Sequence, residues 1–480
     1  MTVNFTTLKP AAAVAALVGL AAVAGQAQAA VTIVINNINA ANVGFNDPTP
    51  AVPVGGNTGT TLGQQRLIAF TYAANIWGAT LTSNIPIVIN AQMTALTCTA
   101  SSATLGSAGA TSTFANFANA PKTNTNYSYA LANKLANAYL GTLNAAQISA
   151  NFNVNLGNTG CLDGSFWYLG LDRNHGSNVD FATVLLHEIG HGVGFQTFTN
   201  GSTGAFSGGR PSIWDWYLTG TSTGLTWNNM TAAQRVASAI SVNGLVWAGP
   251  LVTAEVPNVL RQGIATATIS GPAAGAAAGV KAVGEASFGP AVTTTPVAGQ
   301  LMPVVDQADG NTGLACDPLS TANRAAVNGR IALIDRGTCT FAIKAKNAQD
   351  AGAIGVIIAN NAAGSAPGLG GSDATVVIPT LSVSQADGVT LKAALKSRSR
   401  TSSGVMASMA VTGTQYAGAD PLNRALLYAP NPFVSGSSVS HYDISAFRNQ
   451  LMEPNINGDL THSLLPPEDL TFRLLQDIGW

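Results

Sequence analysis

Charge is what this sequence has least of. Only 9% of its 480 residues are Asp, Glu, Lys or Arg, and 21 basic against 22 acidic residues leave a net charge of -1. No basic field is available to hold nucleic acid, and no acidic run is available to act as a solvating tail. Histidine is equally scarce, at five residues, so any close pairing of imidazoles stands out against the background. The four cysteines contain no C-x-x-C spacing, which argues against a four-cysteine zinc site. Beyond the N-terminus no apolar run reaches membrane-spanning length without Gly, Pro or a polar interruption, so the mature protein is expected to carry no membrane span.

What is present points to an exported, loop-rich globular protein. Hydrophobic residues make up 46% of the chain and recur in strand-length runs, which excludes a disordered polymer, and 51 glycines fit a β-containing fold with many turns. Lys9, the apolar run from Ala11 to Ala24 and Ala27-Gln28-Ala29 read as a signal peptide cleaved after Ala29. The expected destination is the periplasm or the outside of the cell. An oxidising compartment suits the cysteines, whose sequence positions favour one disulfide between Cys98 and Cys161 and another between Cys316 and Cys339, two other connectivities being possible.

Along the chain, VTIVINNI from Val31 reads as a strand, Leu62 to Trp77 as a helix and IPIVINAQM from Ile85 as a buried strand, a β-α-β opening. A further helix is expected from Ser128 to Leu140 and a strand over Phe166 to Leu171. The segment from Ser177 to Phe195 carries helix signals, with Ser177 as N-cap, Asp180 three residues on and glycines at the exit. Composition shifts near Val256 to Ala282 and Ser397 to Ala419 enclose a stretch of alternating strand and helix patterns that reads as a compact α/β unit.

The chemistry lies in HEIGH, residues 187 to 191. His187 and His191 are four apart, so on a helix both imidazoles leave the same face and can share a zinc ion. Glu188 stands beside the first ligand, where it can act as general base toward a metal-activated water without binding the metal itself. A third ligand is required. A contiguous motif would place it at position 197, but Thr197 stands there, leaving His175, His441 and His462 as histidine candidates and Asp215 as a carboxylate rival, with Glu255 weaker still. His175 and His462 read better as surface or packing residues.

HEIGHGVGF followed, after a long interval, by SHYD and LMEP resembles the leishmanolysin-type metzincins, in which the third histidine is displaced far downstream and precedes a Met-turn. The opening GFNDPTP and TLGQQRLIAF and the closing LTFRLLQDIGW are similar to bacterial members of that group. The resemblance implies His441 as third ligand and Met452 as the methionine beneath the metal. GRIALIDRGTCTFAIKAKNAQDAGAIGVIIANN with IPTLSVSQADGVTLKAAL resembles a protease-associated (PA) domain, which implies the Cys316 to Cys339 disulfide and a role in covering or selecting substrate. No cysteine precedes Cys98, so latency through an N-terminal cysteine on the metal is not expected.

The expectation is therefore an α+β fold: a metzincin-like catalytic domain, with a mixed sheet and an active-site helix, split by an inserted α/β PA domain. Its segments are a signal peptide over 1–29, catalytic parts over 30–260 and 420–480, and the PA domain over 261–419. The expected function is a secreted endopeptidase with one catalytic zinc ion on His187, His191 and His441, acting on proteins or peptides with Glu188 as base. The alternative is a non-catalytic binding or surface protein on a peptidase scaffold, against which the intact Glu188 argues.

Overall fold

The computed structural model describes residues 30–100, 102–305 and 313–480; the segment read as a signal peptide lies outside them. No helix among the described residues is long and apolar enough to cross a membrane.

The first half of the chain builds a four-stranded sheet. Ile33–Asn37 pairs in parallel with Ile87–Thr94, which pairs in parallel with Ile148–Asn153, and Gly106–Ala110 closes the order as an antiparallel edge. Ile87, Ile89, Ala91 and Met93 alternate into the core, as a strand with one covered face requires. Between the first two strands the helix Leu62–Thr80, capped by the Thr61 hydroxyl, buries Phe70, Ala73 and Trp77. The Trp77 indole donates to the Leu186 carbonyl at 3.0 Å and so fastens this helix to the one that bears the histidines.

That second helix runs Phe181–Val193, and all 13 of its residues are buried. A helix sunk on every side is positioned by its whole surroundings rather than by one apolar stripe. Its start differs from the sequence expectation. Asp180, not Ser177, is the N-cap, accepting from the Ala182 amide at 3.0 Å, because Val179–Asp180 is held extended by pairing with Trp167–Tyr168. The same pairing is the whole of the strand expected over Phe166 to Leu171. The earlier helix is also shorter, Tyr129–Ala136, since Asn137 turns left-handed and the Asn133 side chain captures the Leu140 amide.

The central segment is a closed seven-stranded barrel, made in order by Gln262–Ser270, Gly279–Glu285, Thr380–Val383, Gly355–Ala359, Ile331–Asp335, Val297–Pro303 and Met406–Tyr416. The expected helices appear as Phe341–Asp350 and Gln385–Ala394. The unit extends into the two stretches read as composition shifts, which hold its first and last barrel strands. Their Ala, Thr and Gly side chains show little strand propensity of their own; pairing of Thr266 with Ala410 and Ile269 with Ala407 supplies the order. The unit is thus a barrel with helices rather than a simple layered α/β module.

Arg261 locks the barrel to the remainder of the chain. Its guanidinium makes two bonds to the Glu285 carboxylate, at 2.8 and 2.6 Å, and lies 4.1 Å above the Phe447 ring. Both disulfides form, Cys98 to Cys161 with Cα atoms 5.0 Å apart and Cys316 to Cys339 at 5.6 Å. After the barrel the chain returns to the first domain and ends on the helix Thr471–Ile478, beyond which the Trp480 indole donates to the Val193 carbonyl at the exit of the histidine helix.

Candidate metal centre

Helical spacing brings His187 and His191 to one face, with Nε2 atoms 3.1 Å apart. The third imidazole arrives from a segment 250 residues beyond His191. His441 Nε2 lies 3.1 Å from that of His191 and 3.3 Å from that of His187. Among the described residues these three form the group of metal-capable side chains that converge.

The outer nitrogen of each ring is fixed. Nδ1 of His187 meets the Leu451 carbonyl at 2.7 Å, Nδ1 of His191 the Phe195 carbonyl at 2.8 Å, and Nδ1 of His441 the Ser437 carbonyl at 2.7 Å. A carbonyl can only accept, so each Nδ1 carries the proton and each Nε2 presents a lone pair inward. Three lone pairs aimed at one point repel unless a cation lies between them. Tetrahedral zinc with Zn–N near 2.05 Å sets ligand nitrogens roughly 3.3 Å apart, and the triangle matches that spacing.

Electrostatics favours the same state. Burial lowers His187 to about 4 and His191 to about 3, the latter helped by the neighbouring His187 charge, and burial holds His441 well below its ordinary value. All three rings are therefore neutral and able to bind metal at physiological pH. Glu188, adjacent to the first ring, is pushed up to about 8 by burial, a hydrogen bond from the Ala108 backbone opposing the rise. Its Oε2 is buried and has no hydrogen-bond partner among the described residues. An orphaned carboxylate oxygen beside three converging imidazoles fits a site that takes a metal and a reacting group.

Two features below and beside the site were absent from the motif reading or rested on resemblance alone. Met452 is fully buried against the helix; a Cβ at Gly190 would meet its Sδ at 2.7 Å, so the glycine lets the methionine lie directly beneath the histidine turn. Its neighbour Leu451 provides the carbonyl that holds His187. Gly106, on the edge strand, passes so close to Glu188 that a Cβ there would lie 2.8 Å from Oε1. This contact across the fold shows why glycine stands at position 106.

The other candidates serve elsewhere. Asp215 accepts from Thr197, Thr199 and Ser212. Glu255 pairs with Arg473 at 2.7 Å, and His175 Nδ1 meets the Asn178 carbonyl. His462 is a packing residue that also braces the histidine helix, with Nε2 2.8 Å from Oδ2 of the helix-capping Asp180 and Nδ1 3.1 Å from the Tyr72 hydroxyl.

Comparison with known proteins places one family match within the barrel. Residues 297–391 match the family model of the PA domain. Leucine aminopeptidase 2 of Arthroderma otae is 52% identical over 64 residues, 13% of either chain, and the probable leucine aminopeptidase 2 of Arthroderma benhamiae is 39% identical over 118 residues, 24% of this chain and 22% of that protein. The matches thus span less than a quarter of these relatives. Among solved structures, a zinc aminopeptidase from Bacillus subtilis aligns over 34% of this chain and 36% of its own, with 22% identity and a TM-score of 0.23. The aminopeptidase of Aneurinibacillus sp. strain AM-1 gives 25% identity and a TM-score of 0.22 over 34% of this chain and 37% of its own. The chain is a mixed α/β protein containing a PA domain.

Proposed function

We propose that this protein is an exported zinc-dependent endopeptidase of the leishmanolysin-like metzincin type, with one metal ion held by His187, His191 and His441. The observation that carries the reading is the triangle of Nε2 atoms 3.1 to 3.3 Å apart, two from one helix and one from far along the chain. A zinc ion there supplies a Lewis acid that acidifies water and polarises a carbonyl. Glu188 accepts the water proton at its free Oε2 and returns it to the leaving nitrogen, acting in turn as base and acid. Glu188 would be favoured in its ionised form with a cation bound at the three imidazoles. Met452 supports the histidine turn from beneath.

The edge strand favours cleavage within a chain. Among the described residues Gly106–Ala110 pairs on one side only, and its Ala108 backbone reaches Glu188, so an extended peptide laid along the free edge passes the catalytic carboxylate in both directions. The names of the fungal relatives point instead to removal of N-terminal residues, but the matched stretches are short. An N-acetylated decapeptide separates the two: an endopeptidase cuts it internally, whereas resistance of the blocked peptide with digestion of the free one would establish an aminopeptidase. Both disulfides suit an oxidising compartment outside the cytoplasm.

A further inference from the structure

Thr197 stands where a contiguous motif would carry its third histidine, and its contacts give it a different role. The Thr197 hydroxyl donates to Asp215 Oδ1 at 2.7 Å and accepts from the Thr199 amide at 3.0 Å. The second Asp215 oxygen accepts from the Thr199 hydroxyl at 2.5 Å and the Ser212 amide at 2.8 Å. Asp215 is fully buried, so this carboxylate with three neighbouring donors is a rigid post. On its other side, the Thr197 amide donates to Ser440 Oγ at 3.2 Å. Ser440 precedes His441.

Resting on the ligand set proposed above, we infer that Asp215, Thr197 and Ser440 form a positioning relay that sets His441 against the exit of the histidine helix. Two of the imidazoles are spaced by the helix itself, whereas the third lies 250 residues away, and only non-covalent ties fix its distance. A metal site tolerates roughly half an ångström of error in its ligands. The Ser437 carbonyl fixes how the His441 ring is turned, but Ser437 belongs to the same loop and cannot place that loop. The Tyr428 amide donates to the His441 carbonyl at 2.9 Å and the Val439 amide to the Tyr428 carbonyl at 2.8 Å, which hold the loop on one side. The bond from Thr197 to Ser440 ties it to the exit of the histidine helix, and Asp215 holds Thr197 in place. These are positioning residues without contact to metal or substrate.

The test uses the full chain and reads zinc affinity by competition with a chelator, together with the visible absorption of the cobalt(II)-loaded protein. Thr197→Val removes the hydroxyl that binds Asp215, while Thr197→Ser keeps it. The expected result is a zinc affinity about tenfold lower in Thr197→Val, the lower end of losses seen when a supporting hydrogen bond is cut, with a changed cobalt band, and recovery of both in Thr197→Ser. Ser440→Ala, at a half-buried loop position, should show the same loss without disturbing the Asp215 cluster. Affinities within twofold of the parent for both Thr197→Val and Ser440→Ala, or a Thr197→Ser protein as weak as Thr197→Val, overturn the relay. His441→Ala in the same assay keeps the two questions apart: if it binds zinc as the parent does, the ligand set itself is wrong; if it alone loses zinc, only the relay fails.

Discussion

Gly106 and Glu188 touch so closely that a single methyl at position 106 would stand 2.8 Å from the carboxylate oxygen and 2.9 Å from its Cγ. Gly106→Ala must therefore displace the Glu188 side chain or the edge strand. The expected result is at least a tenfold fall in kcat with zinc content unchanged. Gly368→Ala, where an added Cβ meets nothing within 4 Å, provides the control and should leave kcat as it was.

Glu188→Gln keeps the shape of the side chain and removes its capacity to take a proton. Zinc should remain bound in stoichiometric amount by metal analysis, while hydrolysis of a protein substrate falls by about 10² to 10⁴. Undiminished hydrolysis in this variant would remove Glu188 from the mechanism.

His441, buried, and His462, half-buried, both belong to the C-terminal segment, yet only His441 faces the other two imidazoles. His441→Ala should cost most of the zinc affinity. His462→Ala should leave the metal in place and lower thermal stability, because it strips a hydrogen bond from Asp180 at the helix cap; about 1 kcal/mol is the expected order. Equal zinc loss in the two variants would count against the ligand assignment.

Removal of the metal should expose a pH dependence of stability. In the metal-free chain His187 is lowered to about 4 and His191 to about 3, below the ordinary 6.5 that the unfolded chain regains. The unfolded state therefore binds more protons than the folded state as pH falls below about 6.5, and the stability present above that value is lost progressively toward pH 4 and below. Glu188, pushed up to about 8, contributes with the opposite sign over the same range, so the test uses the chelated Glu188→Gln protein, whose Tm should fall from near pH 6.5 toward pH 4. A flat profile across that window would mean that the rings protonate without opening the site.

The readable part of this site was the part encoded locally. An i, i+4 histidine pair with a glutamate between them is a property of five consecutive residues, and helical geometry converts it directly into two ligands and a base. His441 and Met452 carry no local signal of that kind; resemblance named them, since the distance from His191 is settled by packing. The contact of Asp180 with His462 spans 282 residues, and nothing in DLTHSLL marks that histidine as the partner of a helix cap. The barrel was legible over its apolar strands and amphipathic helices, but its first and last strands were not, because Ala- and Thr-rich segments acquire their order only by pairing with one another. Gly106 is the clearest case: a glycine in a polar stretch has no meaning until the fold lays Glu188 beside it.

The two ends of the barrel meet, Gln262 pairing with Tyr416 and the Ala417 amide bonding to the Arg261 carbonyl at 2.9 Å. Well over half of the interval between His191 and His441 is thus enclosed between neighbouring points, and a barrel that folds first leaves a much shorter effective loop to be closed. Loop-closure entropy grows only slowly with length, so the saving in stability is small, but the search for a non-local contact is shortened. Along an emerging polypeptide, His441 becomes available to His187 and His191 only after the whole of the barrel has been made.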